Sequence, residues 1–131
     1  MTEPIESWLD PYVNAVYGRK ARKVVILDVR PLTSVADAFI ICSGRSHRQV
    51  SAIAEFIRQA LKKQNIQPLS VEGLKEGHWV LLDYGHVIIH IFYEPIRAFY
   101  DLEGLWIDAR RIGTTALLQG ETLESKESDD E

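Results

Sequence analysis

Three groups of residues in this chain have types and spacings that could carry chemistry. His78, His86 and His90 lie within one short stretch, Ser43-Gly44-Arg45-Ser46 stands where a strand should give way to a helix, and Cys42 immediately precedes it. Imidazoles ligate metals, a strand-to-helix junction can hold a phosphate on free backbone N–H groups, and a thiolate is a nucleophile. Each has a plainer explanation. If a three-residue loop, Asp83-Tyr84-Gly85, joins the flanking strands, Leu82 faces His86 and His78 faces His90, so two imidazoles meet across a hairpin. His86 is four residues from His90 on one strand, about 13 Å at the usual rise, too far to share an ion. Two imidazoles with no third ligand make a weak site, and a polar pair on a half-exposed face is the better reading. The turn from Ser43 to Ser46 lacks P-loop or GxGxxG spacing, and Ser46 followed by Gln49 is a capping-box signal, so it reads as a capped turn. Cys42 ends an apolar run with no histidine or aspartate placed in sequence to activate it, and reads as a small core residue. A metal- or nucleotide-dependent enzyme built on these groups is the alternative reading; the favoured expectation is no catalytic residue, no metal and no cofactor.

The elements that must position these residues follow from periodicity. Ile5, Trp8, Leu9, Tyr12, Val13 and Val16 recur at helical spacing, with Pro11 expected to bend the helix or restart it on an Asp10 cap. Lys23 to Val29 is a near-continuous β-branched run that suits a strand covered on both faces, and a second strand is expected at about Ala38 to Cys42. Val50, Ile53, Ala54, Ile57 and Leu61 then form one apolar helix stripe. A short strand near Pro68 to Glu72 completes a strand-helix-strand crossover, and the runs His78 to Leu82 and His86 to Phe92 make the hairpin. In the three-residue-loop register, Trp79, Leu81, Val87, Ile89 and Ile91 share the core side, and His78, Val80, Leu82, His86, Ile88, His90 and Phe92 share a thinly covered or partner-facing side. Pro95 suits the start of a helix carrying Ile96, Phe99 and Tyr100, and Asp101 can cap a further turn carrying Leu102, Leu105 and Trp106. The result is an α/β single domain over residues 1–112, with a mixed sheet of about five strands and helices packed on it. Residues 113–131, whose distal part is rich in Gly, Ser and acidic groups, read as a flexible tail.

Composition narrows the function. The net charge is −4, but residues 121–131 hold six acidic groups and one lysine, leaving residues 1–120 at about +1 with a single dense basic run, Arg19-Lys20-Ala21-Arg22-Lys23. Nucleic-acid binding normally shows a concentrated basic face, and such a run is more often a solvated helix end, so little or no direct nucleic-acid contact is expected. One cysteine excludes an internal disulfide, no signal pattern opens the chain, and no apolar run approaches the ~20 residues that span a bilayer. A cytoplasmic protein without membrane contact is expected.

The stretch Trp79-Val80-Leu81-Leu82-Asp83-Tyr84-Gly85, followed by the pattern HxFxxxxRxFYxLExLW from His90 to Trp106, resembles the ribosomal silencing factor family, bacterial relatives of the plastid protein Iojap. Leu27-Asp28-Val29, Ala36 to Gly44 and Arg48-Gln49-Val50 extend the resemblance over roughly residues 5 to 112. It implies a fold similar to that of nucleotidyltransferases. Those enzymes need closely paired carboxylates for divalent metal, and no Asp-x-Asp occurs here, with Asp28, Asp37 and Asp83 scattered, so the catalytic carboxylates are missing. It also implies binding to the large ribosomal subunit through large-subunit ribosomal protein fourteen, which blocks joining of the small subunit and represses translation under nutrient limitation, with a role in large-subunit maturation. A homodimer of the free protein stays open. The aromatic and charged residues of this stretch are the expected partner-binding set: Trp79, Asp83, Tyr84, His90, Phe92, Glu94, Arg97, Tyr100, Asp101, Glu103 and Trp106. Trp and Tyr dominate many protein interfaces, and acidic groups suit a basic ribosomal protein.

Overall fold

In a computed structural model, which describes residues 5–113, the chain forms a six-stranded mixed sheet with two long helices on one face and two short ones on the other. The elements in chain order are α1 (Glu6–Tyr17), β1 (Arg22–Asp28), β2 (Ala38–Gly44), α2 (His47–Lys62), β3 (Ser70–Glu72), β4 (Trp79–Asp83), β5 (Val87–Tyr93), α3 (Glu94–Tyr100), α4 (Leu102–Leu105) and β6 (Arg110–Arg111). The strand order is β3-β4-β5-β2-β1-β6. β2 and β5 run parallel, and the other neighbouring pairs are antiparallel.

β2 explains the sheet's two-sided burial. Ala38, Ile40 and Cys42 point to the α1/α2 side, Phe39 and Ile41 to the other, and all seven residues of the strand are buried. A central strand flanked by parallel and antiparallel neighbours needs such an unbroken apolar run. α2 lays Val50, Ile53, Ala54, Ile57 and Leu61 on the sheet. Ser46 caps it, its Oγ accepting from the Gln49 N–H at 3.0 Å. Gln49 reaches back to the N–H of Arg45 rather than that of the cap residue itself.

Three details differ from expectation. Pro11 does not restart α1 on an Asp10 cap; the helix runs through it, because burying Leu9, Tyr12, Val13 and Val16 outweighs the one hydrogen bond the proline removes. A two-residue edge strand, β6, is added where no periodicity could show it. The hairpin joining β4 and β5 has a two-residue loop, with the Tyr84 N–H bonded to the Val87 carbonyl at 2.9 Å and Gly85 at φ +90°. Glycine first in a two-residue loop matches the strand twist, and the Asp83 carboxylate accepts from the Gly85 N–H at 2.8 Å to hold it. Trp79 therefore opposes Phe92 and Leu81 opposes His90, three residues away from the three-residue-loop register. An odd slip exchanges the faces. Val80 and Leu82 join Val87, Ile89 and Ile91 under the long helices, while Trp79 and Leu81 join Ile88, His90 and Phe92 on the opposite face.

Candidate partner-binding surface

Among the described residues that opposite face is covered by α3, α4, the turn after them and the β1–β2 connection, and its core is aromatic. The Trp79 ring stacks on Phe92 with centroids 4.7 Å apart and meets Tyr100 at 5.2 Å. Phe39 meets His90 edge-on at 5.2 Å and Trp106 at 5.1 Å. The Trp79 Nε1–H donates to His90 Nδ1 at 3.1 Å, which fixes the proton of the neutral imidazole on Nε2. Nε2 is buried without a hydrogen-bond partner among the described residues, and burial depresses the His90 pKa to about 4. The ring is neutral at physiological pH.

The short helices are fastened to the sheet by charge. Arg97 is buried on α3; its Nε and Nη2 donate to the two carboxylate oxygens of Glu103 at 3.0 and 2.9 Å, and its Nη1 donates to Ser43 Oγ at 2.8 Å. This paired fork ties α3, α4 and the end of β2 together, and the Arg97 guanidinium holds the Glu103 carboxyl below the usual carboxylate range. Between the two helices Asp101 adopts a left-handed conformation, φ 46°, closing α3, while its side chain accepts from the Gly104 N–H at 3.2 Å to open α4. A Cβ on Gly104 would meet the Asp101 carboxylate at 2.2 Å, so a larger residue there would push that side chain off its cap.

The expected partner-binding residues divide accordingly. Tyr84 is 6% exposed and sits on the far face against Tyr12, its hydroxyl pushed up to about 12 by burial, so it is core and not an anchor. His90 and Phe92 are buried as well, and Arg97 and Glu103 are engaged with each other. Asp83 holds its turn, and Glu94 pairs with Arg22 at 3.2 Å. Trp79 and Trp106 are half-buried, whereas Asp101 and Tyr100 are exposed, Tyr100 at 51%. Beside them the structure exposes Phe99 at 79%, together with Leu105 and Ile107. Those three were absent from the expected set. Phe99-Tyr100 and Leu105-Trp106-Ile107 are consecutive apolar residues in short helical turns, where neighbours in sequence point in different directions and cannot all be buried. Phe99 and Tyr100 meet edge-on at 5.2 Å and Tyr100 leans on Trp79, while Leu105 and Ile107, with Asp101 and Asp108, are exposed in and around the following turn.

The three hairpin histidines go to three places. His90 lies in the aromatic layer, His86 packs on Trp8 and Tyr12 of α1, and His78 Nδ1 lies 3.1 Å from His47 Nε2 at the start of α2. His78 and His90 are thus not cross-strand partners, and among the described residues no three His, Cys, Asp or Glu side chains converge as metal ligands. Cys42 is buried in β2.

The described residues form an α/β domain whose thinner sheet face is aromatic and partly exposed. A family model described as ribosomal silencing factor during starvation matches residues 2–131, and the chain belongs to that family. It is 43% identical over 97 residues to the ribosomal silencing factor RsfS of Halalkalibacterium halodurans, covering 74% of this chain and 83% of that one. A crystal structure of a Bacillus halodurans protein superposes with a TM-score of 0.73 at 37% identity, covering 82% of this chain and 98% of the other. A mouse protein named for mitochondrial assembly of the ribosomal large subunit is 28% identical over 118 residues, 88% of this chain and 52% of that protein. Among the described residues no helix is long and apolar enough to cross a membrane.

Proposed function

We propose that this chain binds the large ribosomal subunit through large-subunit ribosomal protein fourteen, using the α3/α4 surface, and sterically prevents the small subunit from joining. The result is lower translation when nutrients are short, in the cytoplasm where ribosomes work, and a contribution to large-subunit maturation. No chemical step is involved. The observation that carries this reading is the exposure of Phe99 and Tyr100 on α3, Leu105 at the end of α4 and Ile107 just beyond it, on two short helices locked to the sheet by Arg97 and Glu103. A rigid aromatic platform loses little entropy on docking, and aromatic anchors commonly dominate an interface. Asp101 and Asp108, exposed within it, complement a basic ribosomal protein and steer its approach. The surface takes the place of the hairpin side in the expected set: Trp79, Tyr100, Asp101 and Trp106 remain in it, and Tyr84 leaves it.

Co-sedimentation with isolated large subunits tests the proposal. Phe99→Ala and Tyr100→Ala should each weaken binding by about 2 kcal/mol, roughly thirtyfold, and relieve inhibition of subunit joining, with melting temperatures unchanged. Wild-type affinity in both variants would overturn the assignment of this surface.

A further inference from the structure

Two sequence features that read as unremarkable apart are brought together by the fold. The basic run opening at Arg19 follows the end of α1, and Ser46 opens α2; these two points border one open groove of about 620 Å³, lined by Gly18, Arg19, Lys20, Ser46, Arg48, Gln49 and Ala52. It has three cationic side chains and no acidic one. Arg19, Lys20 and Arg48 are exposed and take part in no ion pair among the described residues, and the first turn of α2 carries no acidic residue.

We propose that this groove holds the phosphodiester backbone of RNA, and, resting on the ribosome-binding reading above, that this RNA belongs to the large subunit. Its chemistry selects backbone over nucleotide. No aromatic side chain lines it to stack a base, and its cations sit on exposed positions, which suits phosphate contacts made without reading sequence. The near-neutral charge of the whole domain conceals this arrangement, because the groove gathers three cations with no acidic side chain among its lining residues. The chain would then hold the ribosome at two places, protein through the aromatic surface and RNA through the basic groove.

The test compares the full-length protein with an Arg19→Gln/Lys20→Gln/Arg48→Gln variant, and with Arg48→Glu alone should the triple variant melt early. A labelled RNA duplex is titrated at low and moderate salt. Three phosphate contacts make wild-type affinity fall roughly twenty- to fortyfold between about 50 and 200 mM salt, and the triple variant should bind weakly at both with a much flatter dependence. Phe99→Ala should bind the duplex as wild type does, while losing large subunits. No duplex binding by the wild type, or equal binding by the triple variant, overturns the groove whatever happens with subunits. If the duplex is bound through the groove but large subunits are not, the ribosomal reading fails and the groove stands. Displacement of the duplex by micromolar ATP would overturn the choice of backbone in favour of a free nucleotide.

Discussion

The two faces of the sheet are built from different residues and held in different ways. Under α1 and α2 the contacts are aliphatic and deep: Ile26, Ile40, Ile53, Ile57, Leu61 and Ile89 are fully or almost fully buried. Under α3 and α4 the cover is eleven residues of short helix, the layer is aromatic, and a part-buried ion pair and a buried histidine take the places that aliphatic groups fill on the other side. The first face is closed by hydrophobic burial, which is non-directional and saturates. The second is kept in shape by directional contacts, so it can leave large apolar groups in solvent without collapsing around them. Deep aliphatic burial is concentrated on one side of the sheet, and large exposed apolar groups on the other.

The sharpest way to break that division is Ile57→Asp. The site is central in the α2 stripe, and an unpaired carboxylate there should cost more than about 5 kcal/mol and abolish cooperative melting, read by circular dichroism. A folded variant with an unchanged melting temperature would show that the long-helix face does not dominate stability. On the thin face, Arg97→Ala leaves the Glu103 carboxylate without its fork and Ser43 Oγ without its donor, and should cost about 3 kcal/mol in chemical denaturation. The protein should still fold, because the aliphatic face is untouched.

Acid titration sharpens the comparison next. His90 has a folded pKa of about 4, below its ordinary 6.5, so between those values the unfolded chain takes up a proton that the folded protein refuses. Stability from this group is complete above about pH 6.5 and declines as pH falls toward 4, by up to about 3 kcal/mol. The lowered carboxyls of Glu103 and Asp28, each held down first by its arginine hydrogen bond, extend the decline below the usual carboxylate range. His90→Asn, which keeps an acceptor near the Trp79 Nε1–H, should remove the slope between about pH 6.5 and 5 and leave the more acidic part in place. A slope identical to wild type would show that this imidazole titrates normally.

How far each face could be read from the chain follows from the same contrast. α2 was legible to its cap and its buried stripe, because helical periodicity and Ser46/Gln49 act over a few residues. The hairpin was legible as a hairpin, but Gly85 accepts both a two- and a three-residue loop, and that ambiguity reverses which side of β4 meets the core. Arg97 and Glu103 carry charges that look outward in a sequence; only the left-handed break at Asp101 folds α4 back so that they meet. The mixed sheet and the family were evident from local motifs, whereas the exposed surface depends on how three short segments pack. The tail expected over residues 113–131 lies, except for Gly113, outside the described residues.

The smallest effect is the most discriminating, and it sits within one four-residue helix. Leu102 and Leu105 are the first and last residues of α4; Leu102 is buried in the aromatic layer, and Leu105 is 77% exposed. Leu102→Ala should cost about 2 kcal/mol, at the lower end for a core leucine because its cover is thin. Leu105→Ala should shift stability by no more than about 0.5 kcal/mol, as surface substitutions do, while weakening large-subunit binding severalfold. Urea denaturation of the two variants reads the first quantity and sedimentation with subunits the second. A loss of stability at Leu105 comparable to that at Leu102 would mean that α4 turns inward in solution, closing the surface on which the recognition argument depends.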